Sequence, residues 1–172
     1  DARPIGGLPS ASLPNLKLDT TDKQICNLAL GCLSKVRADL AATQAWVNQQ
    51  ATILDRVQRL QQYSRMRDPF HRIDAPPSQL GLLMLPYTRF ALQFAQAEGS
   101  RRSASQYEAM QAMCQHSGAV QRWFTQPDQG LIPQMIAAAH VRVSGQLLAD
   151  MLAERAPNDP QPTECAQVFA PD

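Results

Sequence analysis

The sequence predicts an all-α protein: a four-helix bundle-like array with one long N-terminal helix and irregular Pro-rich arms at both ends. Three observations carry that prediction. Apolar residues recur at alternating steps of three and four, the rhythm of a buried helix face. No segment alternates apolar and polar residues between hairpin dipeptides, as a half-buried strand would. The 13 prolines fall almost wholly in the head, the tail and two joints, where they punctuate helices and form no low-complexity tract. At 172 residues and 44% apolar, the chain is the size of a single helical domain, 1–172, with a proper core.

Residues 1–19 hold Pro4, Gly6, Gly7, Pro9 and Pro14 among scattered leucines, and they read as an extended arm laid on the body through Leu13, Leu16 and Leu18. The first helical signal runs from about Thr21 to Arg67. Its seam is Leu33, Val36, Leu40, Thr43, Val47, Gln50, Leu54 and Val57, which predicts an unbroken helix over Ser34 to Arg65. Thr43 and Gln50 are polar seam positions, so the helix is one stave of a bundle and not a free zipper. Arg56, Arg59, Arg65 and Arg67 suit the negative end of the helix dipole, and Pro69 ends the helix. Its start has two readings: the capping box Thr21-Asp-Lys-Gln24, or a restart after Gly31.

A Pro-rich connection over 69–79 leads to a second helix, from Ser78 or Pro86 to Glu98, with Leu83, Tyr87, Phe90, Phe94 and Ala97 facing in and Gly99 at its C-terminal cap. A capping box at Ser105-Gln-Tyr-Glu108 opens a third helix to Phe124, buried through Met110, Cys114, Ser117, Val120 and Phe124. After the turn Pro127–Gly130, a fourth helix spans Leu131 to Arg155. Its expected inner stripe is Ile132, Met135, Ile136, Ala139, Val143, Leu147 and Met151, and Pro133 is tolerated in the first turn. Pro157 ends it, and residues 157–172 form a Pro-rich tail.

Four cysteines, Cys26, Cys32, Cys114 and Cys165, fit two disulfides and an oxidising, extracytoplasmic compartment. Cys165 lies in a polar segment that burial alone would not hold, so a covalent tie explains its position. Geometry narrows the pairing. Inside one helix, residues six apart are about 9 Å apart along the axis, too far for a disulfide. Either the helix starts after Gly31, with Cys26 closing a local loop to Cys32 and Cys114 stapling the tail through Cys165, or the helix starts at Thr21 and the early cysteines bridge separately to Cys114 and Cys165. The first scheme asks least of the fold. The chain opens Asp1-Ala-Arg-Pro without an apolar leader, as a mature secreted chain would, or the soluble part of a protein whose signal peptide or membrane anchor has been removed.

Charge and chemistry exclude more than they suggest. Only 18% of residues are charged and the net charge is +1, so nucleic acid and anionic membranes are not implied as partners. No apolar run approaches the 18 or so residues of a membrane span. Thirteen arginines against three lysines, with abundant alanine, is what a GC-rich bacterial genome produces and carries no functional weight. His71, His116 and His140 sit at no metal-ligand spacing, no C-x-x-C-H motif attaches a haem, and no phosphate-cradling loop or nucleophile elbow is present. No cofactor is expected, and no enzyme.

The residues that stand out are candidate contacts. Arg67, Phe70 and His71 lie in a loop, with Tyr87 near in sequence; Arg101 and Arg102 lie in another; Trp123 precedes the Pro127 turn. Aromatic and arginine residues are favoured at interfaces, although Phe70, Tyr87 and Trp123 equally suit caps over a bundle core. The expectation is a non-enzymatic extracytoplasmic protein that binds another protein, in an inhibitor, immunity or scaffold role. The alternative is a small-molecule carrier whose pocket Met84, Met110, Met113, Met135 and Met151 would line.

Overall fold

The structure is a computed structural model, and it describes Cys26 and residues 31–64, 80–126 and 131–169. Among these residues the protein is all-α, a bundle-like array of seven α-helices with three short 3-10 turns and no strand. The arm at 1–19, the expected end of the first helix beyond residue 64 and the connection over 69–79 lie outside the described residues.

Gly31 decides where the first helix begins. Its φ is +82°, a left-handed conformation that costs a residue with a Cβ about 1–2 kcal/mol. Ser34 Oγ donates to the Gly31 carbonyl at 2.9 Å, and helix α1 runs Cys32–Ala38. Cys26 and Cys32 are therefore not on one helix, and they are bonded with their Cα atoms 4.7 Å apart.

The long unbroken helix expected over Ser34 to Arg65 is not what forms. Asp39 leaves helical geometry at φ −149°, and its carboxylate accepts the Ala42 N–H at 2.9 Å, capping a new helix α2, Leu40–Gln49. A short acidic side chain competes for backbone donors and favours a cap over a helix interior, which the heptad count does not register. At Gln50 (φ −90°, ψ 5°) a second joint follows, where one carbonyl accepts from both Ile53 and Leu54 at 3.0 Å. Helix α3, Ala51–Arg59, ends in a 3-10 turn, Leu60–Gln62. Each joint takes up a single residue, so the seam survives. Leu33, Val36, Thr43, Val47, Gln50, Leu54 and Val57 are buried, and Leu40 is half-buried.

A 3-10 turn, Leu80–Met84, leads into α4, Leu85–Ala95, with Pro86 in its first turn, where a missing N–H costs nothing. Nine of its residues are buried, on every side of the helix, as befits a central stave. It packs on α1, α2, α3 and the next long helix. Gly99 is left-handed (φ +65°), but it opens the 3-10 turn Gly99–Arg101; the C-cap of α4 is Gln96. Helix α5, Arg102–Phe124, starts one turn before the expected Ser105 box, so Ser105 is interior to it. Its expected inner residues Met110, Cys114, Ser117, Val120 and Phe124 are all buried. Helix α6 is Leu131–Ala153, and α5 and α6, 23 residues each, are the longest described helices.

The tail is not wholly irregular. Beyond Pro160 and Pro162, residues Thr163–Phe169 form α7, which the Cys114–Cys165 disulfide ties to α5 with Cα atoms 5.0 Å apart. The polar look of the segment conceals an apolar side, because Pro162 and Cys165 are buried and Val168 and Phe169 half-buried. Gly118 and Gly145 make room for it: a Cβ on Gly118 would stand 3.1 Å from Val168, and one on Gly145 3.6 Å from Phe169. Arg155, at the end of α6, is buried and donates to Met110 Sδ, Ser103 Oγ and the Pro160 carbonyl, which fixes the turn into α7.

Candidate functional site

Three features carry chemistry or contact potential. The first is a sealed polar cluster where α4, α5 and α6 meet. Tyr87 on α4 has its ring 5.4 Å from His116 on α5 and 5.9 Å from His140 on α6. His116 Nε2 donates to the Leu83 carbonyl at 2.8 Å, which leaves Nδ1 to accept from Gln61 Nε2 at 3.4 Å. His140 Nδ1 lies 3.3 Å from the Tyr87 hydroxyl. Ser144 Oγ donates to the His140 carbonyl at 2.7 Å, so the 2.7 Å contact between Ser117 and Ser144 has Ser117 as donor.

All five residues are buried, and burial governs their titration. It lowers His116 to about 4, against a smaller upward effect of its bond to Leu83. Burial, with His116 nearby, lowers His140 to about 3. The Tyr87 hydroxyl is pushed up to about 12 by burial, partly offset by Ser117 and Ser144. Both imidazoles are thus neutral at neutral pH, and Tyr87 keeps its proton. Serines beside histidines suggest nucleophilic chemistry on paper, but Ser144 is engaged with a backbone carbonyl and the cluster is shut off from solvent.

The second feature is a pair of open grooves. The larger, about 640 Å³, runs between α4 and α5 over Phe90, Ala97, Ala109 and Ala112, with Arg89, Gln93 and Glu108 on its walls. Arg89 is held there by Asp55 at 2.9 Å and by Gln58. The smaller, about 260 Å³, lies along α7 beside Cys114, Arg122 and Glu164. The Glu164 carboxyl is held below the usual carboxylate range, first by its own backbone N–H and then by Gln111, with Gln115 adding to the effect. Among the described residues no group of His, Cys, Asp and Glu is arranged to hold a metal ion.

The third is an apolar stripe on α6. Leu131, Ile132 and Met135 are 72%, 53% and 61% exposed in the first turns of the helix. The expected inner stripe is wrong here by one position. Pro133, Ala137, His140 and Ser144 face the core, while Val143, Leu147 and Met151 are buried as expected further along. The cause is legible: Leu131 to Ala139 is apolar nearly all round, so periodicity cannot select a face, and the bonds of His140 and Ser144 to α4 and α5 select it instead.

The candidate contact residues fare unevenly. Arg67, Phe70 and His71 lie outside the described residues. Tyr87 is fully buried in the polar cluster and offers nothing to a partner. Trp123 is buried too, its indole N–H donating to the Tyr63 carbonyl at 2.7 Å, so it closes the core between α5 and the turn after α3. Arg101 and Arg102 are exposed at the start of α5. The α6 stripe was missed because Ile132 and Met135 were assigned to the core and Leu131 was given no face. The chain matches no family model, no curated protein and no solved structure.

Proposed function

We propose that this chain is a non-enzymatic extracytoplasmic protein that binds another protein through the exposed apolar face of α6. The observation that carries the proposal is the outward placement of Leu131, Ile132 and Met135 on one end of a helix, in a chain whose other large apolar residues, Tyr63 excepted, are packed among the described residues. Contiguous exposed apolar surface of this kind is characteristic of interaction sites, with stable interfaces needing about 1,200–2,000 Å² in total. Two disulfides support an oxidising compartment, and no helix among the described residues is long and apolar enough to cross a membrane. The sealed state of the histidine–serine cluster supports a role without catalysis. For the carrier alternative, Met84, Met110, Met113 and Met151 are packed in the core, Met135 is exposed, and neither of the two grooves described above has a methionine in its lining.

Photo-crosslinking in the native cell tests the proposal. A benzophenone side chain at position 135 is expected to give one discrete, saturable protein adduct that disappears with Leu131→Glu, while the same group at the exposed position 149 gives none. Equal labelling from positions 135 and 149, or an adduct indifferent to Leu131→Glu, refutes it.

A further inference from the structure

The buried polar cluster has a property that neither packing nor partner binding requires. We infer that Tyr87, His116, Ser117, His140 and Ser144 form an acid-sensitive latch, which holds α4, α5 and α6 together while both imidazoles are neutral and opens when they take up protons. The geometry shows why a proton has no place there. His116 already donates through Nε2 to the Leu83 carbonyl, so a proton on Nδ1 would meet the amide nitrogen of Gln61, another donor, until that amide turned over. With both ring nitrogens of His140 protonated, the Tyr87 hydroxyl 3.3 Å from Nδ1 can only accept there. The hydroxyl would then have to turn its proton to a serine oxygen, a rearrangement that still leaves the imidazolium charge without a counter-ion.

Among the described residues no counter-charge is at hand. The groups facing the cluster are Tyr87 and Phe90 from α4, His116 and Ser117 from α5, His140 and Ser144 from α6, the Leu83 carbonyl and the Gln61 amide. None is a carboxylate. Among the described residues the buried polar side chains include a single permanent charge, that of Arg155, which is paired with Asp159 and is itself a cation. A charge buried without a partner is expelled by neutralisation or by opening the structure. Nor do the disulfides oppose opening, since Cys26–Cys32 is local and Cys114–Cys165 joins α5 to α7, leaving the α4–α5 and α5–α6 contacts without a covalent link.

The sign is fixed by linkage. Histidines in the unfolded chain take up protons below about 6.5, whereas His116 and His140 in the fold do so only near about 4 and about 3. Their contribution to stability is intact above pH 6.5, declines as the pH falls towards 4, and is lost below the folded values. Each imidazole raises the unfolding constant about tenfold per pH unit across that window, and the pair about a hundredfold.

Urea unfolding of the isolated protein at intervals between pH 7 and 4 tests this, followed by near-ultraviolet circular dichroism. The variants are His116→Gln, which keeps a donor for Leu83, and His140→Asn, which keeps an acceptor for Tyr87. The ratio of wild-type to variant unfolding constants is expected to rise about tenfold per pH unit on acidification for each single variant, which cancels the carboxylates common to both proteins. A ratio constant with pH overturns the latch. Ring-proton NMR of the wild type provides a second readout that needs no variant to fold: two imidazoles still neutral at pH 5 support the latch, and two titrating near 6.5 in the folded protein overturn it. Neither measurement involves a partner, so the latch can fail while the α6 docking proposal stands, and the reverse.

Discussion

Removing the Cys114–Cys165 disulfide should detach α7 and leave the rest of the bundle folded. The bond joins residues 51 apart in sequence, and closing a loop of that size lowers the entropy of the unfolded chain by about 4 kcal/mol in the chain-entropy model. What remains to hold α7 is modest. Gln111 and Gln115 donate to Glu164, Gln121 donates to the Val168 carbonyl at 3.3 Å, and Val168 and Phe169 rest on the glycine surfaces of α5 and α6. Such hydrogen bonds contribute about 0.5–1.5 kcal/mol each, and those to Glu164 and Val168 are part-buried or exposed. A seven-residue helix is also well below the length of about 12–15 at which an isolated helix becomes even marginal. The Cys114→Ala, Cys165→Ala double variant should therefore lose up to about 4 kcal/mol in urea melts. Hydrogen exchange should show protection lost over 163–169 but retained in the middle of α5 and α6. Unchanged protection over 163–169 would refute the reasoning. So would simultaneous loss across α5 and α6, which would mean that α7 is part of one cooperative core.

Two further outcomes test the N-terminal half. Leu54→Ala should cost about 2–5 kcal/mol as a buried large-to-small change, Leu40→Ala less because that side chain is half-buried, and Gln58→Ala little, all measured by urea melts. Gly31→Ala should cost about 1–2 kcal/mol, because the left-handed backbone at +82° strains any residue with a Cβ and a new methyl would stand 3.1 Å from Ser34 Oγ; thermal melts against Gly99→Ala, where the added Cβ meets nothing within 4 Å, separate backbone strain from that close contact.

Burial was more legible than helix boundaries, for a physical reason. The seam from Leu33 to Val57 follows from the spacing of apolar residues, and spacing reports which face is dry. It does not report whether the backbone stays helical at one residue, and Asp39 breaks the helix by a side-chain bond to Ala42 that no periodicity contains. Gly31 was one of two readings of the helix start, offered because glycine tolerates a break, and its left-handed backbone accompanies the local disulfide. Tyr87 and Trp123 were offered as contacts because aromatic residues suit interfaces and cores equally. Their hydrogen-bond partners, His140 and the Tyr63 carbonyl, are distant in sequence and decide for the core.

The first half of α6 is where local and global preference disagree most. A turn of one residue confined to the first half of the helix could bury Ile132 and Met135, which are exposed where Ile136 is already half-buried, and turn His140 towards water. The structure instead holds Leu131, Ile132 and Met135 outward and seals His140 and Ser144 in the core. Each outward apolar side chain forgoes about 1.5–3 kcal/mol of burial, and each inward polar one must find a partner to avoid a cost of similar size. Natural sequences are consistent across levels except where something other than stability is served. The inversion on α6 is met on its inner side by Tyr87, Ser117 and the neutral state of His140, while its outer side is uncovered by any described residue. One rotation of one helix therefore produces both the acid-sensitive interior and the apolar exterior. Fitting the sequence to the orientation it adopts, for example with Leu131→Gln and Ile132→Gln outside and His140→Leu inside, should raise stability while abolishing the position-135 crosslink. Retention of the crosslink in such a variant would show that the outward apolar face is not what the partner reads.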